Sequence, residues 1–157
     1  MPYTSIIVRP LQTAITARLA GLDDLKDEAD ALVVPVLTRL EKNITNEIQA
    51  AVNMIGICIE VWPALFTQIR QNANGLFSES IITRLRIIDN PIVNETGLDS
   101  AAVAELCLYY LHLWDPAVSG LSILCAAESP IQFIESPDAV MLDLFFECSG
   151  GFAVRAS

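Results

Sequence analysis

At 157 residues, with 53% apolar residues, only 18% charged residues and a mean hydropathy of +0.47, the chain can sustain one hydrophobic core and not two. Its longest charge-free runs, 48–59 and 116–127, stop at about a dozen residues, short of the roughly 20 a membrane-spanning helix needs. A formal charge of −10, with nine Lys and Arg scattered singly, argues against nucleic-acid binding, which needs a basic stripe to replace counterions along the phosphates.

The first 37 residues are expected to form a helical segment of their own. Leu11, Ile15, Leu19, Leu22 and Leu25 repeat at helical spacing, and Gly21 supplies a C-terminal stop. Residues 23–30 form an acidic cluster with one lysine and read as a solvated face, since no His or Cys joins them and no calcium-loop spacing is present. The N-terminus shows no basic region followed by an apolar core and a small-residue cleavage site, so a cytoplasmic place of synthesis is expected. An α+β core domain over 38–149 follows. Thr38 with Glu41 fits a capping box opening a helix whose stripe is Leu40, Ile44, Ile48 and Val52.

From residue 55 the period changes to two. Ile55, Ile57, Ile59, Val61 and Leu65 are assigned to one face of a strand, and Gly56, Cys58, Glu60 and Trp62 to the other. Pro63 cannot donate a ladder hydrogen bond, which predicts a bend or a sheet edge there. The turn-rich 71–75 then sends a strand back antiparallel, making a long hairpin. On that strand, over 79–88, Ile81, Leu85 and Ile87 mark one face, while Arg84 and Arg86 share the other with Ile82 and Ile88. Glu60 stands within reach of one of these arginines, as an ordinary cross-strand pair or as half of a subunit interface.

A link over 89–97 leads to a helix over 99–114, capped by Asp99 or Ser100 and ended by Pro116. Val103, Leu106, Cys107, Tyr110, Leu111 and Trp114 make one apolar face, flanked by Ala104, Leu108, Tyr109 and Leu113. A helix apolar on most sides needs cover on most sides, from a sheet, a second helix or a neighbouring subunit. Residues 121–126 form a short strand candidate and 130–137 an irregular or short extended piece. The alternation over 139–148 puts Val140, Leu142, Leu144, Phe146 and Cys148 on the core face. Met141, Asp143, Phe145 and Glu147 take the other, with Phe145 between two carboxylates as a contact residue. Gly150 and Gly151 are expected to free a flexible tail over 150–157.

Chemistry is sparse. Neither a nucleophile elbow, a P-loop nor a strand-linked dinucleotide fingerprint occurs, so no catalytic, cofactor-binding or metal-ligating residue is assigned. The single histidine, His112, reads as a partly buried structural imidazole. Cys58, Cys107, Cys125 and Cys148 are widely spaced in apolar runs and read as reduced core thiols. The acceptor patterns at Asn43 and Asn94 carry no meaning without secretion.

The order helix, long hairpin, loop, helix, closing strand, with Arg86-Ile87-Ile88-Asp89-Asn90-Pro91-Ile92-Val93-Asn94-Glu95-Thr96-Gly97 before an apolar helix ending in His112-Leu113-Trp114, resembles the tail-terminator (tail-completion) proteins of long-tailed bacteriophages. The resemblance covers 38–151 and rests on element order and one loop pattern. It implies a mixed sheet flanked by helices and a structural virion protein, not an enzyme. Such subunits form a homo-oligomer, a six-membered ring that caps the tail tube and joins it to the head-neck connector protein. DNA would pass through an acidic lumen, with no membrane involved. On this reading the sheet strands make the ring contacts, with Glu60, Arg84, Arg86, Asp143, Phe145 and Glu147 as subunit-interface candidates. Two other readings stay open: another neck or baseplate component, and a small cytoplasmic enzyme or ligand-binding module.

Overall fold

The computed structural model describes residues 5–39, 42–72 and 75–153. Its centre is one strand, β4 (Gly75–Asp89), long enough to pair along its whole length with β6 (Val140–Ala153) on one side. On its other side lie two strands end to end, β2 (Ile57–Val61) and β3 (Leu65–Asn72). β1 (Val36–Thr38) extends β2 in parallel and β5 (Cys125–Ile134) extends β6 antiparallel, giving the path β1-β2-β4-β6-β5 with β3 off it. With three α-helices among the described residues, the chain is an α+β protein with a mixed, mostly antiparallel sheet built on a long hairpin.

The break between β2 and β3 falls at Pro63. Val61 opposes Leu85, but Leu65 opposes Ile82, so the intervening residues advance the register by one and exchange the faces. Ile57, Ile59 and Val61 are fully buried as the alternation predicts. Leu65, expected beside them, is instead 67% exposed, and Phe66 takes the inward position opposite Ile81.

Two helices cover one face of the sheet: α1 (Val8–Ala20) and α3 (Ser100–Leu111). Leu11, Ile15 and Leu19 of α1 and Val103, Ala104, Cys107 and Leu111 of α3 pack with Ile57, Ile59, Leu85, Ile87, Leu144 and Phe146 in one cluster. Within it the Gln12 side-chain amide donates to the Val61 carbonyl at 2.9 Å. The N-terminal segment is therefore part of the same core, and the expected division at residue 37 has no counterpart in the packing.

The third helix, α2 (Ile44–Met54), lies on the opposite face, where Ala51, Cys58 and Ile88 form a small second core with Ile48, Val52 and Met141 against it. It starts after Asn43 in a left-handed conformation (φ 61°), not from a Thr38 cap. Thr38 ends β1, and its hydroxyl meets that of Thr16 at 3.1 Å. Leu40 and Glu41 lie outside the described residues.

The long link after β4 is held by two side chains. Asp89, 3% exposed, accepts from Asn94 Nδ2 at 2.9 Å and from the Ser100 amide at 2.9 Å. Asp99 caps α3 by accepting from the Ala102 amide. The link passes so close to Gly56 that a side chain there would collide with the Asn94 backbone. α3 stops at Leu111, short of the residue 114 expected from Pro116, because Leu113 turns left-handed (φ 61°) and donates to the Leu124 carbonyl. His112 is exposed, contrary to expectation, and its Nδ1 accepts from the Ala126 amide at 3.0 Å.

β5 joins the end of the 121–126 strand candidate to most of the piece over 130–137, which is extended, with a register shift between Ala126 and Ile131. β6 runs past Gly150 and Gly151 to Ala153, so these glycines do not release a tail. A Cβ at Gly150 would strike the Gly120 carbonyl and Leu121, and one at Gly151 the Leu76 carbonyl, so they allow close backbone approach. Residues 154–157 lie outside the described part.

Candidate functional site

The face of the sheet that carries α2 is only partly covered by it. Beyond the helix, period-two alternation brings Glu60 of β2 and Trp62 just after it, Arg84 and Arg86 from β4 and Asp143 from β6 onto one surface, with Glu60 opposite Arg86 and Arg86 opposite Asp143. Arg39, just after β1, joins them because its amide donates to the Val61 carbonyl and holds the chain over β2.

The two carboxylates form the floor. Glu60 and Asp143 are 2% and 1% exposed. Arg86 grips Asp143 through two parallel bonds, Nε to Oδ1 at 2.8 Å and Nη2 to Oδ2 at 3.0 Å, the fork geometry that favours arginine over lysine. Arg84 approaches the same carboxylate at 3.5 Å, and Arg39 donates to Glu60 at 2.8 Å. The hydrogen bonds to Asp143 raise the Arg86 pKa above its ordinary value, and the nearby Glu60 charge adds to this. Burial, with the Glu60 charge behind it, pushes the neighbouring Cys58 thiol up to about 12.

Trp62 binds the outer layer together. The guanidinium carbons of Arg84, Arg39 and Arg86 stand 3.6, 4.6 and 5.2 Å from its ring centroid, within the range where a cation is drawn to an aromatic face. Its ring nitrogen is buried without a hydrogen-bond partner among the described residues. Three cations on one ring would repel each other, and the two carboxylates beneath offset that repulsion.

Between this cluster and α2 runs an open groove of about 370 Å³, whose lining mixes polar side chains such as Arg39, Arg86 and Gln49 with apolar Ile48, Val52 and Met141.

Glu60, Arg84, Arg86 and Asp143 thus come together, but within one chain. Glu60 and Asp143 are buried and already paired with arginines of their own chain. Phe145 is half-buried opposite Arg84, and Glu147 is exposed opposite Ile82, at the margin. Arg39 and the role of Trp62 escaped the sequence reading. Trp62 was on the correct face, but nothing in the pattern placed Arg39.

Apolar side chains are exposed elsewhere. Leu65, Ile69 and Phe77 on the β3–β4 hairpin are 67%, 56% and 42% exposed, and Ile131 and Phe133 on edge strand β5 are 45% and 64% exposed. Tyr109 and Leu113, at 78% and 62%, mark the outer flank of α3. No helix among the described residues is long and apolar enough to cross a membrane. The four cysteines are free, and Cys58, Cys107 and Cys148 are buried. Neither the family models nor the curated proteins compared with this chain give a match.

Proposed function

We propose that this chain is a structural virion subunit of the tail-terminator type. Six copies close into a ring on the tip of a phage tail tube, meet the head-neck connector on the other side, and let DNA pass through an acidic lumen. The observation that carries the reading is the exposed apolar surface on the hairpin and on the β5 edge. Bare edge strands with apolar side chains are normally blunted in monomers, because they pair with other chains. The net charge of −10 supports the lumen, since an acidic wall repels phosphates and lets DNA slide past it.

The test is the mass of the purified protein by light scattering with imaging of the same peak. Six copies of 17.1 kDa give 6 × 17.1 = 102.6 kDa, and a ring of that mass that binds isolated tail tubes is the expected result. A chain that stays monomeric, alone and with tail tubes, sinks the reading. The groove beside α2 favours a second one, a ligand-binding module. A small-molecule ligand that raises the melting temperature of wild type, but not of a Val52→Trp variant filling the groove, would support it.

A further inference from the structure

We propose that the arginine layer on one copy, Arg39, Arg84 and Arg86, receives the acidic turn of a second copy, residues 23–30. This inference rests on the assembly reading above and names the surfaces that join. The layer is built with its anions below and its cations outward. Glu60 and Asp143 are almost wholly buried, while the side chains of Arg39, Arg84 and Arg86 are 38%, 29% and 22% exposed. Their donors are not used up. Arg39 reaches Glu60 through one Nη, Arg86 keeps the Nη not engaged with Asp143, and Arg84, stacked on Trp62, has its 3.5 Å approach to Asp143 as its one carboxylate contact among the described residues. Asp138 and Glu147 border the layer and form no ion pair among the described residues. The outward surface therefore offers spare guanidinium forks to a carboxylate brought from outside.

A second copy brings such carboxylates, because the chain carries 19 acidic residues against nine basic ones. They are densest where Asp23, Asp24, Asp27, Glu28 and Asp30 all stand exposed around a single lysine. The turn is held in shape. Leu25 is anchored in the core, and Asp27 Oδ1 accepts from the Ala29 and Ala31 amides. Tyr110 of α3 donates to Asp24, which fixes the turn on the side of the sheet covered by α1 and α3. The arginine layer lies on the opposite side. One copy can thus give and receive at once, and a contact between two different surfaces repeats head to tail, which makes a ring where the rotation between copies closes.

The test compares the wild-type chain with D23K/E28K, whose two positions make no side-chain hydrogen bond or ion pair among the described residues. A control, E95K/E105K, makes the same charge change at two other exposed sites. Light scattering against protein concentration is expected to show the turn variant needing at least about tenfold more protein for half-assembly. The control should match wild type, and all three should melt alike. Raising salt from about 50 mM to about 500 mM is expected to weaken wild-type assembly, since this shortens the screening length severalfold. Adding R84E to D23K/E28K, which sets a new carboxylate among the arginines to meet the new lysines, is expected to bring assembly part of the way back toward wild type. A turn variant that assembles at wild-type concentration, or a control that loses as much, overturns this contact and leaves the assembly reading standing. A wild-type chain that is monomeric throughout overturns both.

Discussion

Trp62 is the residue on which the sheet's polar face depends, and its neighbours show why a buried ion pair is better judged by what its loss leaves behind. Asp143 sits 1% exposed between two arginines, so removing Arg86 strands a carboxylate in the interior with one long contact. Arg86→Met should therefore lower stability by about 3 kcal/mol, read from the urea midpoint. The double variant Arg86→Met with Asp143→Leu should recover most of that loss, because no unpaired carboxylate stays buried and Arg84, which loses its long contact, is partly exposed to solvent. If the double variant loses as much as the two singles together, the pair is not coupled and this account is wrong. Glu60 and Arg86 were legible as facing residues because the period of two put both on one side of the sheet. Arg39 was not, because it belongs to no periodic element and reaches Glu60 through the path of the backbone after β1.

At the scale of elements, periodicity carried β4 and β6 and failed where the chain slips. The alternation from Ile57 to Val61 survives intact, but the step across Pro63 adds one residue to the register and turns Leu65 outward. A proline signals that something happens at such a point and not by how many residues. β5 reads as two pieces, a strand candidate ending at Ala126 and an irregular or short extended piece from Pro130, because its bulge breaks the alternation, and the glycine pair reads as freeing a tail because composition cannot report how closely a neighbouring backbone approaches. The position of α1 gives a test of the single core. Ile15 is fully buried against the sheet, so Ile15→Ala should cost about 2–5 kcal/mol across the whole cooperative transition. A separate N-terminal unit would instead melt by itself and leave the main transition in place. In α3, burial pushes the Cys107 thiol up to about 12 from an ordinary 9.0. A raised folded pKa contributes stability that is complete below pH 9 and lost as pH climbs from there toward 12. Stability should therefore fall between pH 9 and 11, by roughly 1 kcal/mol for this thiol at pH 10, and Cys107→Ala should show a shallower fall over the same interval. Equal slopes in the two proteins would contradict the assignment.

For the whole molecule, the central question is what covers the apolar side chains that remain outside. Phe133 is 64% exposed on an edge strand, so replacing it removes little from the isolated subunit. Phe133→Lys should leave the melting temperature of the monomer within about 1–2 °C and reduce assembly, as charges on natural edge strands do. Unchanged assembly would remove β5 from the contact surface. The layout also constrains how the molecule is made. Arg86 and Asp143 lie 57 residues apart, and β4 gains its longest partner only when β6, the last strand, arrives. On a ribosome adding about 5–20 residues per second, the stretch between those strands takes on the order of several seconds to synthesise. Through that interval the nascent chain holds a 15-residue strand with one flank unpaired, a template for any other extended segment nearby. Translation speed between β4 and β6, and chaperone capture of the open flank, should then govern how much of this protein reaches its native state when it is produced in quantity.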